Sequence, residues 1–128
     1  MELNFMLSEN GTTIDLSVLQ DLVGEDVQAL QTIIELFINT MPPAIEKMKF
    51  YQEQKDWENL FKTAHTMKSS VSIIKVDGLY EAVVDIESKA ENKTGLDHIR
   101  PAIDTIALKY TMAEKLLRKE LQKYQSNS

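Results

Sequence analysis

The chain has 128 residues, one ordinary domain's worth, and a hydrophobic content of 43% is enough for a single core. A charged fraction of 27% is that of a globular protein, the chain is too apolar for general disorder, no apolar run is long enough to span a bilayer, and a net charge of −6 argues against nucleic acid or anionic membranes as partners. Zero cysteines exclude disulfides, thiolate metal sites and thiol nucleophiles, and fit a reducing, cytoplasmic compartment.

Residues 1–13 lack the basic start, apolar stretch and cleavage site of a secretion signal and read as a flexible N-terminal segment with a polar opening, Ser8 to Thr13. Leu16, Leu19 and Leu22 then mark one side of a short helix suited to capping a bundle. From Asp26 onward, Val27, Leu30, Ile34, Phe37, Met41, Ala44, Met48 and Tyr51 alternate spacings of 3 and 4, the seam of a long helix. Pro42-Pro43 predicts a kink near Thr40 with the seam continuing beyond it. Asp56 suits the N-cap of the next helix, whose seam is Trp57, Leu60, Ala64, Met67, Val71 and Ile74, broken by Asp77-Gly78.

A shorter helix carries Leu79, Val83, Ile86 and Ala90 and ends in the polar loop Glu91 to Gly95. The last helix carries Ile99, Ile103, Ile106, Tyr110, Ala113, Leu117, Leu121 and Tyr124, with Pro101 in its first turn, where proline is tolerated. Nothing reads as a strand. The fold expected is therefore all-α, an antiparallel four-helix bundle over residues 14–124 with a short N-terminal capping helix, followed by a loose tail, 125–128. Met1 and the short polar ends favour an independent unit, expected as a monomer.

Only two histidines are present, His65 and His98, so any histidine chemistry rests on one or both. At about 100° per residue, His65 projects roughly 130° from the centre of its helix seam, toward solvent. Glu58, Phe61, Lys62, Ser69 and Ser72 share that face, and Lys68 stands between His65 and the seam, able to bring its ammonium beside the imidazole. A neutral imidazole is a nucleophile at cellular pH, and phosphorylation makes it carry a dianion, which a nearby ammonium offsets. Ser69 and Ser72 are small, leave room for a partner protein and offer hydroxyls; Phe61 either completes the edge of the core or provides an apolar contact.

Between Glu46 and Lys75 six lysines face four acids, a local +2 against −8 for the rest of the chain, which suits an acidic partner. Against this, a lone exposed histidine is more often a plain surface residue, and His-x-x-Lys recurs by chance. His98, with no lysine three residues on, reads as a surface or capping residue.

The run Ala64-His65-Thr66-Met67-Lys68-Ser69-Ser70, followed by Leu79 and Asp85-Ile86-Glu87, resembles the signature of histidine-containing phosphotransfer (HPt) domains. Ile14-Asp15, Leu19, Gly24-Glu25-Asp26, Leu36-Phe37, the proline pair and Asp56 extend the resemblance over residues 14–121. It implies a four-helix bundle in two-component signalling whose partners are response-regulator receiver domains or a hybrid sensor histidine kinase. His65 would accept a phosphoryl group from a receiver's aspartyl phosphate and pass it to another receiver; Lys68 would stabilise the phosphohistidine. No cofactor or metal is implied for this chain, since magnesium would reside in the receiver. Ser69 and Lys75 stand where the family favours glycine; the first narrows the approach to His65 and the second extends the helix or adds charge.

No phosphate-binding glycine loop or ATP lid is present, so the phosphoryl group must come from another protein. A non-catalytic helical adaptor that binds a receiver without transfer is the competing reading, and a dimeric kinase module lacks its ATP domain.

Overall fold

The structure, a computed structural model, describes residues 5–125. The outer parts of the expected N-terminal segment and tail, residues 1–4 and 126–128, lie outside the described residues.

Four long helices form the bundle: α2 (Val27–Glu53), α3 (Trp57–Ile73), α4 (Leu79–Asn92) and α5 (Ile99–Gln125). Each packs against its neighbours in chain order, and α5 closes the ring on α2, the arrangement that short antiparallel connections produce. A fifth helix, α1 (Ser17–Val23), precedes them. Leu16, its N-cap residue, and Leu19 are buried, whereas Leu22, expected on the same side, is exposed. The expected seams form one core in which Ile34, Met48, Leu60, Ala64, Val71, Val83, Ile86, Ile103 and Ile106 are fully buried. Val27, at the start of the α2 seam, is exposed because it occupies the first residue of the helix.

Caps start the helices where side chains supply them. Asp26 accepts from the Ala29 N–H at 3.0 Å and Asp56 from the Asn59 N–H at 3.2 Å, each satisfying an amide that has no partner within its own helix. Helix α2 runs through Pro42-Pro43 without a break. Pro42 has no N–H to give the Ile38 carbonyl one turn back, and the buried Tyr110 hydroxyl of α5 lies 2.9 Å from that carbonyl and 2.9 Å from Glu114 Oε1, its one proton shared between the two acceptors. Pro42 is thus accommodated by a hydrogen bond between helices.

Strands form where none was expected. β1 (Met6–Glu9) and β2 (Thr12–Asp15) make an antiparallel hairpin, and β2 pairs with β3 (Lys75–Val76), giving sheet order β1-β2-β3. The turn is Asn10-Gly11, with φ of 51° and 83°, the pair of left-handed residues that a tight two-residue hairpin requires. Helix α3 accordingly ends at Ile73. Lys75, expected to extend it, lies exposed in β3 opposite Asp15, while Ile74 and Val76 are buried.

Candidate functional site

Helices α3 and α4 bring three side chains together. His65 Nδ1 lies 2.6 Å from Glu87 Oε2, and Lys68 Nζ lies 3.0 Å from Glu87 Oε1. One carboxylate thus bridges both residues singled out on α3. The helical repeat explains the geometry: His65 and Lys68 are three residues apart on adjoining turns, and Glu87, next to the fully buried Ile86, stands at the edge of the α4 face turned toward α3.

Exposure differs sharply across the group. The His65 side chain is 62% exposed, Lys68 31% and Glu87 12%. The imidazole therefore stands out from the bundle, as the wheel predicted, while the carboxylate beneath it is largely covered. Burial by itself pushes the Glu87 carboxyl pKa up, but the hydrogen bonds and charges of His65 and Lys68 outweigh it, leaving Glu87 below the ordinary carboxylate value. An ionised carboxylate only accepts, so the proton between it and His65 belongs to Nδ1. In the neutral ring, Nε2 then carries the lone pair.

The surroundings fit the approach of another macromolecule. The Phe61 ring stacks on His65 with centroids 5.7 Å apart and planes 27° apart. Phe61 also packs on the core, the first of the two roles expected for it. It lines a depression with Lys55, Trp57, Ala90 and Lys93. Lys62 is exposed, pairs with Glu58 at 3.4 Å, and borders a groove between α2 and α3. Ser72 borders a third depression, with Lys75 and Tyr80.

The serines behave differently from the expectation of outward-facing donors. Ser69 Oγ donates to the Thr66 carbonyl at 3.4 Å and Ser72 Oγ to the Ser69 carbonyl at 2.7 Å. Both hydroxyls are folded back on their own helix. His98 sits apart, 73% exposed, near Asp97 at 3.9 Å.

Glu87 is the residue that reading the sequence missed. It stood within the run quoted for the resemblance, but no wheel drawn for α3 alone places a residue of α4 beneath the imidazole. The available signal was its position immediately after the core residue Ile86.

The chain matches a family model described as the Hpt domain over residues 16–127. Among solved structures it is similar to histidine-containing phosphotransfer protein B (HptB) from Pseudomonas aeruginosa PAO1, with 19% identity, a TM-score of 0.79, and 87% of this chain and 96% of that one covered. It is similar also to the HPT domain of a sensor hybrid histidine kinase from Shewanella, with 16% identity, a TM-score of 0.72, and 85% and 93% covered. At these identities the two structures show a shared fold. No curated protein sequence matches.

Proposed function

The chain belongs to the Hpt domain family, whose role is phosphotransfer in two-component signalling, and from that premise we propose that His65 is its phospho-accepting residue. The observation that carries the proposal is the Glu87 bridge, which orients an exposed imidazole and a lysine with the same carboxylate. The donor is the aspartyl phosphate of a receiver domain and the acceptor a second receiver.

In the transfer step the Nε2 lone pair attacks phosphorus. The N–P bond forms as the bond from phosphorus to the aspartyl oxygen breaks, and the aspartate leaves as a carboxylate. No proton leaves the ring, because the hydrogen stays on Nδ1 and keeps its hydrogen bond to Glu87, so phosphorylation turns the imidazole into a cation directly facing an anion. That charge is created during the step, and an acceptor already in place stabilises it without reorganisation. Lys68, with a flexible stem and three donors, exchanges its contact with Glu87 for the new phosphoryl oxygens. The small side chain of Ser69 admits the partner's acidic pocket in line with Nε2, while Phe61, Lys62 and Ser72 border the surface it covers.

The test is to incubate the protein with a phosphoreceiver labelled on phosphorus and repeat with His65→Gln. Acid-labile, base-stable label that disappears in the variant is the expected result. Equal labelling of both proteins overturns His65 as acceptor, and receiver binding without labelling of either supports the adaptor reading instead.

A further inference from the structure

The N-terminal hairpin has no place in the chemistry above, and the family match begins at residue 16, after it. The hairpin is nevertheless attached to three parts of the fold. Its strand β2 pairs with the α3–α4 connection, Ile14 opposite Val76 and Asp15 opposite Lys75, and the Thr13 carbonyl accepts from the Asp77 N–H at 2.9 Å. It is anchored to α5 by Lys119 donating to Glu9 at 2.8 Å and by Thr12 Oγ1 donating to Met112 Sδ at 3.3 Å. It joins α1 through the Ser17 N–H, which donates to Asp15 at 2.9 Å. Ile14 is fully buried, and Leu7 and Val76 nearly so.

The connection so held has a specific position. Residues 74–78 are the link between the helix carrying His65 and Lys68 and the helix carrying Glu87. Each residue of α-helix advances about 1.5 Å along the axis, so slippage of one helix by a single residue is larger than the tolerance of a hydrogen bond. Contacts of 2.6 and 3.0 Å across two helices require that axial register be set. β2 grips the covalent link between the two helices, and the hairpin's contacts with α5 tie that link to a third helix.

We propose that the hairpin is a positioning element for the His65–Glu87–Lys68 group: by clamping the α3–α4 connection to α5, it holds Glu87 level with the two side chains it bridges. The proposal rests on the relay reading for its kinetic consequence, while its structural consequence is measurable on the protein alone. A hairpin that merely covers the end of the core would affect stability and leave the imidazole unaltered.

Gly11 allows the two to be separated in the full chain. A β-carbon built there meets no atom within 4 Å, and the φ of +83° is the only demand made of the residue. Gly11→Pro fixes φ near −65° and forbids the turn, whereas Gly11→Asn tolerates the left-handed conformation and serves as the conservative control. Three quantities are read: amide exchange at Asp77, the nitrogen-15 shifts of the His65 ring, which report whether the proton stays on Nδ1, and the initial rate of label transfer from a phosphoreceiver.

For Gly11→Pro the expected results are Asp77 exchange accelerated at least tenfold, loss of the fixed Nδ1–H tautomer, and transfer slowed on the order of tenfold, since small misplacements are costly in such steps. Gly11→Asn is expected to behave as the parent. Faster Asp77 exchange with tautomer and rate unchanged overturns the proposal. Unchanged Asp77 exchange overturns it too, because the connection then holds without the hairpin. If Gly11→Pro does not fold, Gly11→Val, strained at the same φ, carries the same readouts. If the parent accepts no label, the relay reading fails while the tautomer measurement still decides this one.

Discussion

Replacing Tyr110 by Phe removes one oxygen from the core and strands another. The hydroxyl shares its proton between Glu114 Oε1 and the Ile38 carbonyl, each at 2.9 Å, and the carbonyl's ordinary partner is missing because residue 42 is proline; the Glu114 contact is lost in both backgrounds of the cycle below and cancels. Burial, then the Glu114 carboxylate, pushes the Tyr110 phenol pKa far above its usual value, so it remains a donor wherever the protein is folded. Leaving a buried acceptor unsatisfied costs about 1–3 kcal/mol, which in a chain of this size lowers the melting temperature by roughly 3–5 °C per kcal/mol. The cause is isolated by a double-mutant cycle with Pro42→Ala. Alanine restores an N–H to the same carbonyl, so Tyr110→Phe is expected to cost about 1 kcal/mol less in that background. Urea unfolding followed by circular dichroism, at equal m-values, measures all four corners. Additivity within about 0.5 kcal/mol refutes the reasoning.

Lys68→Ala is expected to keep the fold and shorten the lifetime of the phosphorylated form; unchanged transfer and lifetime would remove Lys68 from the mechanism. Glu87→Gln keeps an oxygen for Nδ1–H but not the charge that holds Lys68, so it should slow transfer less than Glu87→Ala, a ranking that initial rates check. Because the folded-state pKa of Glu87 is depressed, the stability it contributes is present above the unfolded carboxylate range and is lost as pH falls through the lower folded value. A carbon-13 titration of its carboxyl should therefore have its midpoint below that of an ordinary glutamate; a midpoint at or above the ordinary value contradicts the bridge. Ser69→Gly should quicken transfer while destabilising α3 by about 0.5–1 kcal/mol, and slower transfer would mean that the serine aids the approach.

The long helices were legible because their seams repeat over several turns: Leu60 to Val71 on α3 and Ile99 to Leu121 on α5 are buried as their spacing requires. The outward direction of His65 followed from the same repeat. What escaped was short or relational. Strands of four residues and two residues offer too little alternation to register, although Asn10-Gly11 between Met6–Glu9 and Thr12–Asp15 was a hairpin signal open to being read. Ile74 and Val76 fit the tail of a helical pattern equally well as a strand bracketing an exposed Lys75, and pairing with β2, distant in sequence, decided between them. Leu22 matched the stripe of its helix but fell on its open side, because seven residues give a packing neighbour only part of the surface to cover. Glu87 depended on the pairing of two helices, information that no single wheel contains.

If His65 is the acceptor proposed above, the placement of the carboxylate also bears on how long a phosphorylated imidazole would last in water. A phosphoryl group carried on an exposed ring is open to solvent from several directions, so its survival between donor and acceptor depends on nothing nearby activating a water molecule. The nearest base in the site, Glu87, stands behind the ring on the Nδ1 side, with one oxygen on that nitrogen and the other on Lys68. Under the transfer proposed above, a base on the Nδ1 side would steady the ring cation as the phosphoryl group arrives at Nε2, and from that side it would not direct a water molecule at phosphorus even after Lys68 has moved to the phosphoryl oxygens.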